Sequence, residues 1–233
     1  MNIGLFGYGK MGKMIEQIAQ DRGHTIVAKV DVDTEEIDFS KMDVAIDFST
    51  PAAALQNITS CLKNGVPVIS GTTGWLGQYG EAVEYCHKKK GAFIYASNFS
   101  LGVNLFFELN EQLSRMMSKL DQYRVSMEEI HHTQKLDAPS GTAITLAEGI
   151  IENSPYETWK LDTTDEKSIP ISSRREGAVA GTHIVSYESE VDKIEIKHVA
   201  HNRKGFALGA VIAAEWILGK TGVFSMKDVL NLT

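Results

Sequence analysis

Hydrophobic and polar positions follow two different patterns along this chain. In the first hundred residues, short apolar runs at 2–6, 25–30, 44–48, 66–70 and 92–95 are separated by stretches of helical spacing, such as Met11, Met14, Ile15, Ile18 and Ala19 before Gly23. Brief apolar runs read as buried strands, and recurrence at i, i+3, i+4 reads as one face of a helix. After the third run, Ser49 or Thr50 supplies a cap, Pro51 fits the first helical turn, and Asn64-Gly65 ends the helix. Repeated strand-helix alternation predicts a parallel sheet with helices on both faces, because parallel neighbours need crossover connections.

Beyond about residue 100 the pattern changes. The spacing predicts a helix over 102–119, a strand over 123–132, a loop, a helix over 142–152, a polar stretch over 153–168, and extended segments at 169–174, 182–188 and 193–199. Ile194, Ile196 and His198 alternate with Glu195 and Lys197, which predicts antiparallel strands with one covered face. A helix over 206–218, rich in Ala and Ile, is expected to return and cover the first sheet. The expected fold is α/β. A Rossmann-type doubly wound parallel sheet is expected from residues 1–100 plus 204–233, with an inserted α+β domain over 101–203.

Composition adds exclusions. With 233 residues, 43% of them hydrophobic and 23% charged, the chain is neither disordered nor fibrous. A formal net charge of -7 argues against broad attraction to nucleic acid or anionic membrane, while leaving room for a local basic pocket. The segment MNIGLFGYGKMG has no basic leader, and the nearly apolar stretch Gly205 to Gly219 is interrupted by Glu215 and falls short of the roughly 20 residues a span needs. Neither a signal peptide nor a membrane span is expected. Cys61 and Cys86 fit buried thiols in a reducing cytoplasm.

Gly7, Gly9 and Gly12 form G-x-G-x-x-G where a strand ends and a helix begins, the geometry that presents helix N-terminal amides to a pyrophosphate. Asp31 ends the second strand, where a carboxylate accepts from ribose hydroxyls. Gly71-Thr72-Thr73-Gly74 and Ala96-Ser97-Asn98-Phe99 follow the fourth and fifth strands, at the carboxyl ends where open α/β sheets bind ligands. Thr72, Thr73 and Asn98 offer hydrogen bonds to an amide or a ribose.

The segment from Glu129 to Thr142 holds the densest chemistry. His131 and His132 point to opposite faces of an extended strand, a poor arrangement for a metal, and none is expected. The loop brings Lys135 towards His131, and Gly141-Thr142 opens a helix whose free amides attract an anion. Together these indicate a carboxylate pocket. Taken singly, they also read as surface histidines, a solvated lysine and a helix cap.

The string EIHHTQKLDAPSGTA resembles the signature of the 4-hydroxy-tetrahydrodipicolinate reductase family, also called dihydrodipicolinate reductases. The likeness continues at the first glycine turn, at GTTG, at Ser97 to Asn104, at R-x-G-x-x-x-G-x-H from Arg175 to His183, and from Arg203 to Ala214. The resemblance implies NADH- or NADPH-dependent reduction of a cyclic imine dicarboxylate in lysine and diaminopimelate synthesis by a homotetramer, with residues 1–100 plus 204–233 binding the dinucleotide and 101–203 serving substrate binding and oligomerisation. It also implies His131 as the acid, Lys135 as the other catalytic residue, and His132, Gly141, Thr142 and Arg203 as substrate contacts. Gly7, Tyr8, Gly9, Lys10, Met11, Gly12, Asp31, Gly71, Thr72, Thr73, Ala96, Ser97, Asn98 and Phe99 correspond to cofactor contacts. The turn GYGKMG is one residue tighter than the commoner form, with Lys10 for a frequent arginine, and Val32 stands where many members place an arginine. NADH is therefore expected to serve at least as well as NADPH. The competing readings are another two-domain dehydrogenase of the aspartate or homoserine type, opposed by HHxxKxDAPSGTA, and a non-catalytic dinucleotide sensor, which would need a basic recognition helix.

Overall fold

The computed structural model describes residues 1–233 apart from Asp33, Glu35, Thr164, Arg203 and Thr233. The chain divides into two compact units, Met1–Leu101 with Lys204–Thr233, and Gly102–Arg203.

The first unit runs β1 (Asn2–Phe6), α1 (Lys10–Asp21), β2 (Thr25–Val30), β3 (Val44–Asp47), α2 (Pro51–Lys63), β4 (Val68–Ser70), α3 (Tyr79–Lys89) and β5 (Ala92–Tyr95). The second begins with α4 (Leu101–Met117), β6 (Arg124–His131) and α5 (Gly141–Ile151), and continues through β7 (Thr158–Leu161), β8 (Ser168–Arg175), β9 (Gly181–Glu188) and β10 (Lys193–Ala200). The chain then returns to the first unit with α6 (Lys204–Ile217), β11 (Gly222–Phe224) and α7 (Met226–Val229).

The first sheet has six parallel strands in the order β11-β5-β4-β3-β1-β2. Successive side chains enter two cores. Ile3, Leu5, Ile46, Ile69 and Ile94 meet α1 and α6 on one face, while Phe6, Ala45, Val68 and Phe93 meet α2 and α3 on the other. Burial on both faces explains why these strands read as continuous apolar runs rather than alternating ones. The strand order reverses between β1 and β3, and such a switch point opens a crevice at the strands' carboxyl ends.

In the second unit the sheet order is β10-β9-β6-β8-β7. Phe106 of α4 and Leu146, Ala147 and Ile150 of α5 pack with Val125, Met127, Ile169, Ile171 and Val185 of the sheet. The expectation of an antiparallel sheet needs correction, since β6 pairs parallel with β8, and β7 with β8; only β9 with β6 and β10 with β9 are antiparallel. Helix α5 is the crossover that leads from β6 to the parallel β7–β8 pair, while residues 162–167 return the chain from β7 to β8. Strand β7 also lies inside the stretch expected to be polar. Its half-buried Trp159 and Leu161 alternate with exposed Thr158 and Lys160, a pattern too short to register against the polar flanks. Strand β11 is likewise unpredicted. No helix among the described residues is long and apolar enough to cross a membrane.

The small residues of α6 have a steric cause. A Cβ at Gly209 would lie 1.7 Å from the carbonyl oxygen of Phe99, so helix and loop backbone touch directly. Gly209→Ala should lower unfolding stability by about 3 kcal/mol, the scale of overpacking a rigid contact, despite the better helix propensity of alanine. Urea unfolding of both proteins measures the difference.

Candidate active site

At the switch point of the first sheet, Gly7 adopts φ +87°, and a Cβ there would meet Phe48 O at 2.2 Å. One at Gly12 would meet Gly7 O at 2.3 Å. Both glycines are thus demanded by packing of strand, turn and helix. Gly9, the N-cap of α1, differs, because a Cβ there would face open space. That opening belongs to a cavity of about 310 Å³ lined by Gly7, Tyr8, Gly9, Asp31, Val32 and the Phe48–Thr50 loop. An uncrowded helix N-terminus beside a carboxylate at the end of β2 fits the pyrophosphate and ribose of a dinucleotide. The Asp31 carboxylate accepts from the Val32 amide at 2.9 Å, which holds it on the rim. Lys10 is exposed at the start of α1, whereas the Met11 side chain packs on the core.

The next loops hang from one acid. Asp47, fully buried at the end of β3, accepts from Ser49 Oγ (2.6 Å), Asn57 Nδ2 (3.0 Å), Ser70 Oγ (2.9 Å) and Thr72 Oγ1 (2.7 Å). The Ser49 amide donates to Thr72 Oγ1 at 2.9 Å. The Thr72 hydroxyl, read from sequence as a donor to an amide or ribose, instead donates to Asp47, and the Thr72 carbonyl accepts from Trp75 Nε1 at 2.7 Å. Gly71 is required by the ring of Phe48, which a Cβ would approach to 2.3 Å. Phe99 is buried against Phe48, with ring centroids 5.8 Å apart. Thr73 and Ser97 are exposed, Ala96 is half-buried, and Asn98 Oδ1 accepts from the Ser100 amide at 2.8 Å.

In the second unit, inward positions of β6 run Val125, Met127, Glu129, His131. The strand thus carries its core face into a polar corner. Glu129 has no solvent exposure. Its Oε1 accepts from Ser173 Oγ at 2.6 Å and from the Arg175 guanidinium at 3.3 Å, and its Oε2 accepts from the Ser140 amide at 2.9 Å. His131 Nδ1 and His183 Nε2 stand 3.6 and 3.7 Å from Oε2. His183 Nε2 also meets Ser140 Oγ at 3.0 Å, and that hydroxyl caps α5 by accepting from Ala143 N. Burial works to raise the Glu129 pKa, but hydrogen bonds from His183, Ser140 and Ser173 outweigh it and hold the carboxyl well below the usual range.

His131 is pushed the other way. Burial, the largest cause, lowers its pKa to about 4 against the attraction of Glu129, with His183, Lys135 and Arg175 adding repulsion. Its imidazole is neutral at pH 7. Lys135 sits on the following loop, with Nζ 2.7 and 2.8 Å from the two Asp137 oxygens. Arg175 fastens that loop through the carbonyls of Asp137 (2.6 Å) and Lys135 (3.3 Å). His132 is half-buried just past β6. A Cβ on Gly141 would face open space before α5, where first-turn amides have no intrahelical partners; Thr142 follows on the same turn. Arg203 lies outside the described residues.

Glu129, His131 and His183 place one ligand atom each within 4.8 Å of the others, a metal-capable spacing. The carboxylate's acceptor positions are already taken by an arginine, a serine hydroxyl and an amide, so a cation would have to displace bonds that the loop depends on. The arrangement suits neutralising an anion and holding a proton donor.

Glu129, Arg175, His183 and Asp47 had no assigned roles in the sequence reading. A signal existed for the two acids: Glu129 occupies an inward position of an alternating strand, and Asp47 closes a fully apolar one. Arg175 and His183 are the two ends of the R-x-G-x-x-x-G-x-H string, but nothing local in the sequence pairs that string with Glu129.

The family description "Dihydrodipicolinate reductase, N-terminus" matches residues 1–99, and "Dihydrodipicolinate reductase, C-terminus" matches residues 102–230. The chain is 60% identical over 234 residues to the 4-hydroxy-tetrahydrodipicolinate reductase of Christiangramia forsetii, covering 99% of this chain and 98% of that one. It is 36% identical to the enzyme of the same name from Thermosipho africanus, covering 99% and 98%. Among solved structures, dipicolinate-bound dihydrodipicolinate reductase from Paenisporosarcina sp. TG-14 superposes with a TM-score of 0.80 at 22% identity, covering 97% of each chain. With both family descriptions matched in order and the glycine turn, the Glu129 corner and the Lys135 loop in place, the chain belongs to the dihydrodipicolinate reductase family.

Proposed function

We infer that this chain reduces 4-hydroxy-tetrahydrodipicolinate to tetrahydrodipicolinate with NADH or NADPH, a step of diaminopimelate and lysine biosynthesis. The observation that carries the reading is the gathering of the Lys135 loop, the buried His131 and the uncrowded N-terminus of α5 at Gly141 around Glu129, through Arg175 and the Ser140 amide. The first unit is assigned to the cofactor and the second to the substrate.

When bound, the nicotinamide supplies a hydride to the substrate ring. The reaction also consumes a proton at the ring nitrogen, and the 4-hydroxyl leaves as water. The chain's own residues supply binding, charge and that proton. The amides of Gly141 and Thr142, with His132 and Arg203, are assigned to the substrate carboxylates. Family resemblance gives the acid role to His131, but a buried imidazole with a pKa near 4 holds few protons at neutrality. The ammonium of Lys135 is therefore assigned as the donor, exchanging its Asp137 partner for the substrate, while neutral His131 hydrogen-bonds the ring and fixes its orientation. A cationic donor gains interaction as electron density builds on the nitrogen, which lowers the barrier.

Cytoplasmic operation is proposed on the two free, buried thiols Cys61 and Cys86. A homotetramer joined through the second unit is proposed because α4 exposes Leu105, Leu109 and Met116, and edge strand β10 exposes Ile194 and Val199. Multi-angle light scattering at micromolar concentration should give four times the monomer mass; a stable monomer contradicts the proposal.

NADH should be oxidised only when the cyclic imine is supplied, and consumption without it, or none with it, defeats the functional reading. Lys135→Met and His131→Gln should each reduce kcat by about 10²-fold or more, whereas His132→Gln and Arg203→Met should act mainly on KM for the dicarboxylate. The pH profile separates the two donors. Protonated His131 becomes the majority form only below a pH of about 4, so an imidazolium donor predicts kcat/KM climbing as pH falls from 7 towards 4. Donation by Lys135 predicts no such climb.

A further inference from the structure

Tyr8 stands on the rim of the dinucleotide cavity beside Asp31, and its hydroxyl is engaged from two sides. It donates to a carboxylate oxygen of Glu16 on α1 and accepts from Lys29 Nζ at 3.0 Å. Lys29 Nζ is 2.8 Å from the other Glu16 oxygen and 4.6 Å from the centroid of the Tyr8 ring. The three side chains form a closed cluster in which the ammonium is neutralised and laid against an aromatic face.

Lys29 belongs to edge strand β2 and precedes Asp31 by two residues. Asp31 is the first residue past β2, and it lines the same cavity as Tyr8, against whose ring Lys29 lies. Lys29 is thus the cation that β2 itself offers to the place where Asp31 meets a ribose. With the side chain 43% exposed, a released ammonium has a path through solvent to that place. A free 2′-hydroxyl donates to Asp31, whereas a 2′-phosphate is repelled by it unless a cation intervenes.

We propose that Glu16 sets the cofactor preference of this enzyme: by holding Lys29 against Tyr8, it withholds the cation that would receive a 2′-phosphate beside Asp31. The inference rests on the reductase reading above and adds the residue that chooses between its two cofactors. Glu16 acts at one remove, through Lys29, and is a positioning residue rather than a cofactor contact.

The test compares wild type, Glu16→Gln, Lys29→Met and the double variant, with circular dichroism melts to verify folding and Glu16→Ala in reserve. Glutamine keeps one carbonyl oxygen for the Tyr8 hydroxyl but loses the charge and the second oxygen that hold the ammonium. The NADPH:NADH ratio of kcat/KM should rise about fivefold or more in Glu16→Gln, the effect of one charge brought near a phosphate in a solvated site. The gain should appear in KM for NADPH, shrink at high salt, and vanish in the double variant, while NADH kcat stays within about twofold as expected for charges remote from the reacting atoms. Direct titration with 2′,5′-ADP against 5′-ADP reads the same selectivity without turnover. A ratio unchanged in Glu16→Gln overturns the proposal. A gain that survives in the double variant also overturns it, since Lys10 or Lys13 would then carry the phosphate. If no variant oxidises either nicotinamide with the cyclic imine, the functional reading fails, and the ADP titrations still decide the role of Glu16.

Discussion

Removing the Glu129 carboxylate from water carries a large cost, and the second unit is arranged around offsetting it. Its partners come from β8, from β9, and from the amide and hydroxyl at the cap of α5. Each donor serves a second purpose. Arg175 reaches past Glu129 to the carbonyls of the Lys135 loop, and Ser140 turns the same junction into a helix start. The ionised state of Glu129, the course of the loop and the direction of α5 are therefore one arrangement. Loss of any member leaves a buried charge short of partners, which costs more than the bond itself.

The first unit meets the same difficulty with neutral groups. Asp47 is buried under hydroxyls and an amide, and two of its donors, Ser49 and Thr72, lie on loops that edge the crevice. Asp47 closes β3, and Glu129 lies two residues before the end of β6. In each case an inward carboxylate near the carboxyl end of a strand accepts bonds from the segments beyond it. Loops that would otherwise sample many conformations are fixed before a ligand arrives, which reduces the ordering cost of binding.

The parallel sheet, its glycine turn and the polar segment after β6 were legible because each depends on local signals: apolar runs, spacing at 3.6 residues, and small residues at strand ends. The mixed sheet of the second unit was not, because strand direction follows from how α5 packs, which no local pattern encodes. Short strands β7 and β11 escaped for a related reason, having three or four residues supported by tertiary pairing alone. At the site, the residue types were visible but their commitments were not. Thr72 has the appearance of a free hydroxyl until Asp47 is placed beside it, and the burial that lowers the His131 pKa is set by strands distant in sequence.

Helix α6 and strand β11 come from the far end of the chain, yet α6 supplies much of one face of the first sheet and β11 forms its edge beside β5. During synthesis, residues 1–101 leave the ribosome with that face covered by α1 alone, and roughly a hundred residues must follow before α6 emerges. The second unit, continuous in sequence, is complete earlier. Order of emergence and order of completion are thus reversed, since the segment made first finishes folding last. Throughout that interval the part of the apolar face later covered by α6 is open to chaperones and to other nascent chains.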